Sequence, residues 1–88
     1  MKRALVTGGS GDIGAAICRR LAADALHVIV HGHQHPERAE LVVGAIRKTG
    51  GSAESAAFDV TDADEVARTV KGLLEGGPIQ VLVNLAVA

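Results

Sequence analysis

The stretch Thr7-Gly8-Gly9-Ser10-Gly11-Asp12-Ile13-Gly14 decides the fold of this 88-residue chain. It stands between a short apolar run and a helical pattern, and its glycines at 9, 11 and 14 match G-x-G-x-x-G in a strand–turn–helix context. Glycines permit a tight turn and a close approach of the backbone to a pyrophosphate, whose charge the free N–H groups of the helix start receive. The stretch therefore predicts a dinucleotide site, and the alternative is a tight turn without a ligand.

Outward from this turn, strand patterns and helical patterns alternate along the whole chain. The β-α-β-α-β-α-β order predicts an α/β fold, a Rossmann-type doubly wound parallel sheet whose right-handed crossovers place the first and fourth strands side by side. The fourth strand is continuous in apolar residues, which is typical of a strand covered on both faces. Within this chain no helix follows it, so we expect an uncovered apolar edge at Val81, Leu82 and Val83. The predicted strands are 4–6, 27–30, 53–58 and 79–83, and we interpret 1–88 as one incomplete domain.

Each predicted helix has an apolar face with a spacing of three and four residues. Pro36 suits the first turn of the second helix, Thr61 is the expected N-cap of the third, and the Gly-Gly-Pro at 76–78 ends it. The expected apolar faces are Ile13, Ala16, Ile17 and Leu21 in the first helix, Ala39, Val42, Val43 and Ile46 in the second, and Val66, Val70 and Leu74 in the third.

Charge and composition exclude several classes of function. Nine basic and ten acidic residues give a net charge of −1 without a basic run, and Phe58 is the only Phe, Tyr or Trp, so we expect no nucleic-acid partner. The single cysteine, Cys18, cannot form an intrachain disulfide, and we expect it to be a packing residue. No apolar run of 18 residues occurs, so we expect a cytoplasmic protein without a membrane partner.

Four segments together resemble the short-chain dehydrogenases/reductases, and the resemblance covers essentially the whole chain. Residues 7–14 resemble the family's TGxxxGxG segment, and Asp59-Val60-Thr61-Asp62 resembles the adenine-pocket Asp that follows strand three. Gly77-Pro78-Ile79 resembles the lead-in to strand four, and Val83-Asn84-Leu85-Ala86 resembles NNAG. The residues from Ala39-Glu40 through Ile46-Arg47, together with Gly50-Gly51, are most similar to the classical branch, which includes β-ketoacyl-carrier-protein reductases.

The chain also departs from that pattern. Asp12 stands where the classical segment has Gly, and Gly11 instead fits the TGxxGxxG of the extended branch, which includes nucleotide-sugar epimerases. Asp12 is a candidate helix cap rather than a cofactor contact. Leu85 and Val87 replace the second Asn and the Gly of NNAG, so the resemblance does not predict the geometry at the end of strand four, near the nicotinamide side.

The cofactor preference is expected to depend on the end of the second strand, where an acid would bind a ribose 2′-OH and a base a 2′-phosphate. No acid stands there: Gly32 is near the position of the family's NAD-type Asp, His33 is near that of an NADP-type Arg, and Arg38 could add charge. The resemblance thus implies NADPH, with NAD less favoured. The implied cofactor-binding residues are Thr7, Gly8, Gly9, Ser10, Gly11, Asp12, Ile13, Gly14, His31, His33, Arg38, Asp59, Val60, Asn84 and Ala86.

Other readings of these residues stay open. His31, His33 and His35 alternate and would share one face of an extended segment, but Asp and Cys ligands are not nearby in sequence, so no metal is assigned. Ordinary loop histidines are the plainer alternative. Asp59 could be a strand-end cap, and the Asn84 amide could satisfy backbone groups between strands.

The resemblance implies hydride transfer from NADPH to a ketone, as in the reduction of 3-oxoacyl to 3-hydroxyacyl thioesters on a carrier protein in fatty acid biosynthesis. The family's proton donor is a Tyr in a Tyr-x-x-x-Lys pair assisted by a Ser, and this chain has no tyrosine, so no catalytic residue is assigned. The expected partners are a C-terminal half of the same domain, further copies in a dimer or tetramer, and acyl carrier protein. The alternatives are a non-catalytic nucleotide-binding or interaction module and a fragment of an extended-branch epimerase or dehydratase.

Overall fold

The computed structural model describes residues 1–86, and it confirms the predicted α/β architecture. The four strands form one parallel sheet in the order β3-β2-β1-β4, so β4 pairs with β1 at an edge of the sheet, as right-handed crossovers predict. Val87 lies outside the described residues. The elements are β1 (Arg3–Thr7), α1 (Asp12–Ala23), β2 (His27–Gly32), α2 (Pro36–Lys48), β3 (Ser52–Ala57), α3 (Ala63–Glu75) and β4 (Val81–Asn84).

The main core lies between one face of the sheet and the helices α1 and α2. Val6, Val28 and Val30 project from the two central strands into this layer, and each is fully buried. The α2 face is the predicted one, since Ala39, Val42, Val43 and Ile46 are all buried. Alternation along the strands sends Leu5 and Ile29 to the opposite face, where both are buried as well.

The predicted face of α1 is correct for Leu21, which packs against the main core, but is otherwise shifted by about one residue position. Gly14, Ala15 and Cys18 are the buried residues of α1, whereas Ala16 is exposed and Ile13 is 73% exposed. The spacing of three to four residues holds, but the helix is rotated about its axis because Gly14 must face the backbone of the preceding turn.

Cys18 packs in this core, as the sequence predicts. Its side chain is fully buried, and burial raises the pKa of the thiol to about 11, an effect that the charge of Arg19 only partly opposes. A thiol with so high a pKa is protonated at neutral pH, so Cys18 is a structural residue and not a nucleophile.

The third helix and the fourth strand differ from the prediction in their details. The N-cap of α3 is Asp62, not Thr61: its carboxylate accepts a hydrogen bond from the Glu65 N–H at 3.1 Å. Leu74 is about half exposed, and the half-buried residues of the helix are Val66, Val70 and Leu73 among others. β4 begins at Val81 rather than at 79.

β4 is an incompletely covered edge strand within this chain, as predicted. Val83 packs against the main core, but Leu82, which points to the other face beside Leu5, is 65% exposed. Within the described residues, no element covers Leu82 on that side. No helix in residues 1–86 is long and apolar enough to cross a membrane.

One arginine ties the end of α3 to the start of β1. The Arg3 guanidinium donates hydrogen bonds from Nη1 to the carbonyl oxygens of Leu73, at 2.8 Å, and Gly77. The Arg3 N–H also donates to Oε1 of Gln80 at 2.8 Å. Leu73 lies in the last turn of α3, where its carbonyl also accepts the Gly76 N–H at 3.1 Å, and Gly77 lies just beyond the helix. Arg3 thereby fixes the crossover that leads into β4.

We expect Arg3→Met to destabilise the fold by about 1.5–3 kcal/mol, because it removes charge-assisted hydrogen bonds to two carbonyls while keeping an apolar stem. The measurement is urea unfolding followed by circular dichroism. Arg20→Met is the matched control: Arg20 pairs only with Asp24 one turn along α1 at the surface, so its loss should cost less than about 0.5 kcal/mol. Equal unfolding midpoints for the two variants would contradict this role of Arg3.

Candidate functional site

The glycine turn joins β1 to α1 with the backbone geometry of an anion site. Gly8 has a φ of +70°, in the left-handed region that side chains disfavour, and its carbonyl accepts the Gly11 N–H at 3.2 Å. Within residues 1–86, the first N–H of α1 with a carbonyl partner is that of Ala15, which donates to Gly11 at 2.7 Å. The N–H groups that precede it in α1 are therefore available to a negatively charged group, and the positive end of the helix dipole reinforces them.

Three of the glycines are required by steric contact and one is not. A Cβ on Gly14 would overlap the Gly8 carbonyl oxygen and come within 2.8 Å of the Gly9 Cα. A Cβ on Gly9 would lie 2.9 Å from the Val6 carbonyl oxygen, and Gly8 needs its left-handed φ. A Cβ on Gly11 would meet only the Gly8 carbonyl oxygen at 3.6 Å, an ordinary contact.

The Thr7 hydroxyl connects this turn to the end of β4. It donates to Oδ1 of Asn84 at 2.6 Å and accepts the N–H groups of Leu85 and Ala86 at 3.1 and 3.3 Å. The Asn84 amide oxygen is thus bound to a side chain, not to the inter-strand backbone groups considered above as an alternative. Ala86 also lies against the turn, since a Cβ on Gly8 would approach its nitrogen to 3.0 Å. The structure therefore brings Thr7, Gly8, Asn84 and Ala86 together.

His31 lies beneath the turn rather than at the surface. It is the penultimate residue of β2 and only 3% exposed. Its Nδ1 accepts the Gly8 N–H at 2.9 Å, and its Nε2 lies 2.7 Å from the Phe58 carbonyl oxygen. Both ring nitrogens therefore bind protein groups, and neither is available to a ligand.

His33 and Arg38 stand at the exposed end of β2 and the first turn of α2. The His33 imidazole is about half exposed, and its Nε2 lies 4.0 Å from Oδ2 of Asp59. Arg38 is exposed, near an α2 N-terminus that has no side-chain cap. A Cβ on Gly32 would lie 3.3 Å from the Ala39 Cβ, so a side chain at the position of the family's NAD-type Asp would be crowded.

Asp59 follows β3 and is held by Thr61. Its Oδ1 accepts both the Thr61 hydroxyl, at 2.7 Å, and the Thr61 N–H, at 2.9 Å. The bond from the Thr61 hydroxyl, and next the bond from the Thr61 N–H, lower the pKa of the Asp59 carboxyl below its ordinary value. Partial burial opposes this shift, and the nearby His33 adds a smaller lowering effect. The other carboxylate oxygen faces His33, and Val60 is half-buried in the turn that follows.

The remaining predicted residues make fewer contacts with the groups that form the site. Asp12 is the first residue of α1 and not its cap, because the N-cap is Gly11 and no side chain caps the helix. Ile13 is exposed at the rim of the turn, while the Ser10 hydroxyl lies toward Gly32. β2 ends at Gly32, so the alternating histidines do not continue along one extended face. Residues 1–86 contain no group of three His, Cys, Asp or Glu side chains placed to hold a metal ion.

Sequence reasoning missed the supporting roles of Phe58 and Thr61. Phe58 is buried, and its ring packs against His31 with a centroid distance of 4.2 Å. The Asp-x-Thr spacing of Asp59 and Thr61 is a turn signal that could have indicated the second role. Nothing in the sequence pairs Phe58 with His31, because their contact depends on the register of β2 and β3.

Comparison with known proteins places this geometry in a family. A family model described as short chain dehydrogenase matches residues 2–88. The chain is 40% identical over 86 residues to the 3-oxoacyl-acyl-carrier-protein reductase FabG of Staphylococcus aureus, covering 97% of this chain and 35% of that protein. It is 36% identical over 88 residues to the 2,3-dihydro-2,3-dihydroxybenzoate dehydrogenase of Bacillus subtilis, covering 97% and 33%.

Solved structures of short-chain oxidoreductases have the same fold as this chain. A metagenomic short-chain oxidoreductase in complex with NADP superposes with a TM-score of 0.93 at 38% identity, covering 99% of this chain and 39% of that one. A dehydrogenase/reductase from Sinorhizobium meliloti gives a TM-score of 0.91 at 40% identity, with coverage of 97% and 34%. The chain thus spans about a third of the length of the curated relatives it matches.

We expect Gly14→Ala to destabilise the fold by more than about 2 kcal/mol, because the new Cβ overlaps backbone atoms that cannot move independently. Gly11→Ala is the matched control and should cost less than about 1 kcal/mol, since Gly11 has an ordinary φ of −76°, its Cβ would make only an ordinary contact at 3.6 Å, and Ala is a poorer N-cap than Gly. Urea unfolding of both variants checks this, and a fully stable Gly14→Ala variant would refute the contact.

We expect Thr61→Val to raise the pKa of Asp59 toward its ordinary value of 3.8, because the hydroxyl that stabilises the carboxylate is removed. The folded-state pKa is lowered, so this contribution to stability is present above the unfolded pKa and is lost as the pH falls through the folded value. A carboxyl ¹³C NMR titration measures the shift. Thr49→Val, which alters a hydroxyl at the end of α2, should leave the Asp59 titration unchanged.

Proposed function

Because the chain belongs to the short-chain dehydrogenase family, we propose that it forms the NADPH-binding part of a short-chain oxidoreductase. The observation that carries this proposal is the glycine turn, where a left-handed Gly8 and a Gly14 without room for a Cβ leave the first N–H groups of α1 available for an anion. A pyrophosphate fits such a cradle, since it needs closely approaching backbone donors and a positive helix end.

We assign the parts of the dinucleotide to residues by their place around this turn. The Asp59 carboxylate, held by Thr61, is an acceptor suited to the adenine amino group, and Val60 would contact the ring. Asn84 ends β4 and Ala86 follows it closely, and we assign both to the nicotinamide side of the dinucleotide. The pyrophosphate would be held by the turn and its flanks, namely Thr7, Gly8, Gly9, Ser10, Gly11, Asp12, Ile13 and Gly14.

Charge at the end of β2 favours NADPH over NADH. His33, Arg38 and the uncapped N-terminus of α2 supply positive charge or N–H donors where a 2′-phosphate would lie. Gly32 is crowded by Ala39, which disfavours an acidic side chain that would bind a ribose 2′-OH. The solved neighbour in complex with NADP is consistent with this assignment.

The proposed reaction is hydride transfer to a ketone, with 3-oxoacyl thioesters as the substrate class. The 40% identity to FabG supports this substrate class, whereas the relative with 36% identity is a dihydroxybenzoate dehydrogenase. Bound NADPH would supply the hydride, and this chain would hold and orient the dinucleotide. The chain has no tyrosine, so we assign no catalytic residue to it and place the proton donor in a further part of the protein.

We further propose that the part of the protein that holds the proton donor packs against β4. The strand lies at an edge of the sheet, and Leu82 is 65% exposed beside the buried Leu5. An exposed apolar side chain at an unpaired strand edge favours covering by further structure. The partners we propose are the C-terminal half of the same domain, other copies in a dimer or tetramer, and acyl carrier protein as the substrate carrier.

We expect His33→Gln to weaken NADP⁺ binding about tenfold at about pH 6 while leaving NAD⁺ binding unchanged, because only the protonated imidazole adds a positive charge to its hydrogen bond with the 2′-phosphate. Wild-type NADP⁺ affinity should fall more steeply toward about pH 8 than that of the variant. Isothermal titration calorimetry with both dinucleotides measures this. His35→Gln, which removes an exposed imidazole beside Glu37, is the control, and an equal loss in both variants would refute the assignment of His33.

A further inference from the structure

The hydrogen bonds of His31 define the protonation state of its ring. The Phe58 carbonyl oxygen, 2.7 Å from Nε2, can only accept, so Nε2 carries a proton. The Gly8 N–H can only donate, so Nδ1, which it approaches at 2.9 Å, must carry a lone pair. Both bonds are satisfied together only by the neutral ring with its proton on Nε2.

These two bonds join parts of the site that are far apart in the chain. Gly8 opens the glycine turn in the left-handed conformation, and Phe58 directly precedes Asp59. The ring lies in a buried position, with the Phe58 ring tilted against it at 47° and the Phe58 N–H bound to the Gly32 carbonyl at 3.2 Å. The position of the ring is therefore determined by the glycine turn on one side and by the residue that follows β3 on the other.

We infer that His31 is a positioning residue for dinucleotide binding: the Phe58 carbonyl selects its tautomer, and Nδ1 then holds the Gly8 N–H and with it the glycine turn. This role rests on the proposed function. It differs from a direct cofactor contact, because both ring nitrogens are already bound to protein groups. A buried N–H without an acceptor is costly, so losing Nδ1 would favour other conformations of the turn.

Two substitutions separate the two bonds. In His31→Asn, the amide oxygen can take the place of Nδ1 and accept the Gly8 N–H, while the link to Phe58 is lost. In His31→Gln, the longer amide can reach the place of Nε2 and bond the Phe58 carbonyl, while the Gly8 N–H has no acceptor. Both variants remove the ring and its contact with Phe58, so they share the packing loss and differ in which bond they keep.

The test is the dissociation constant of NADPH, followed by its fluorescence, for the wild type and both variants. We expect His31→Asn to bind within about threefold of the wild type and His31→Gln to bind about tenfold more weakly. Equal affinities of the two variants, whether both high or both low, would overturn the inference. If the wild type itself fails to bind NADPH, the proposed function fails instead.

A second measurement needs neither a variant nor a ligand. In the uniformly ¹⁵N-labelled chain, we expect a scalar coupling across the hydrogen bond between the Gly8 amide nitrogen and His31 Nδ1, together with ¹⁵N shifts typical of a ring protonated on Nε2. A ring protonated on Nδ1, or the absence of this coupling, would overturn the inference even where a variant fails to fold. A role confined to packing would produce neither signal.

Discussion

The close contact between the start of α1 and the turn after β1 is the constraint on which the rest of the structure depends. Gly14 lies so close to the Gly8 carbonyl and the Gly9 backbone that no side chain fits there. This contact fixes the rotation of α1, directing Ala15 and Cys18 into the core and Ile13 to the surface. The same approach aims the unbonded N–H groups of the first helical turn at the space above β1, where a phosphate can be bound.

Polar side chains beneath the turn hold this arrangement in place. Thr7, at the end of β1, joins it to β4, and His31, near the end of β2, joins it to the residue that follows β3. The ends of all four strands therefore converge on the same loop. Among the described residues, every buried side-chain nitrogen or oxygen has a hydrogen-bond partner. Such a satisfied network favours one conformation of the turn, because any displacement would leave a buried polar group without a partner.

The two faces of the sheet differ in how completely this chain covers them. On one face, α1 and α2 bury a continuous cluster of aliphatic side chains. On the other, Leu5 and Ile29 are buried but Leu82 is largely exposed. Since the curated relatives are about three times as long, the open part of this face is where we propose that further structure packs.

Local sequence patterns were sufficient to predict the order of the helices and strands and most of the residues around the glycine turn. The strand–turn–helix context of residues 7–14 predicts the anion-binding turn, since glycine spacing and helix starts are read over a few neighbours. The face of α2 was predicted correctly because it depends only on helical period and burial. The face of α1 was not, because a contact with the turn, rather than hydrophobicity, sets its rotation.

The sequence by itself determined the alternating α/β architecture, the parallel sheet and the position of the glycine turn, because these follow from short-range periodicity and backbone preference. Only the tertiary structure decided that His31 is buried beneath Gly8 rather than facing a ligand and that Asn84 bonds Thr7. The physical reason is that these contacts join residues more than twenty positions apart, and strand register, which no local pattern encodes, sets the atoms that meet.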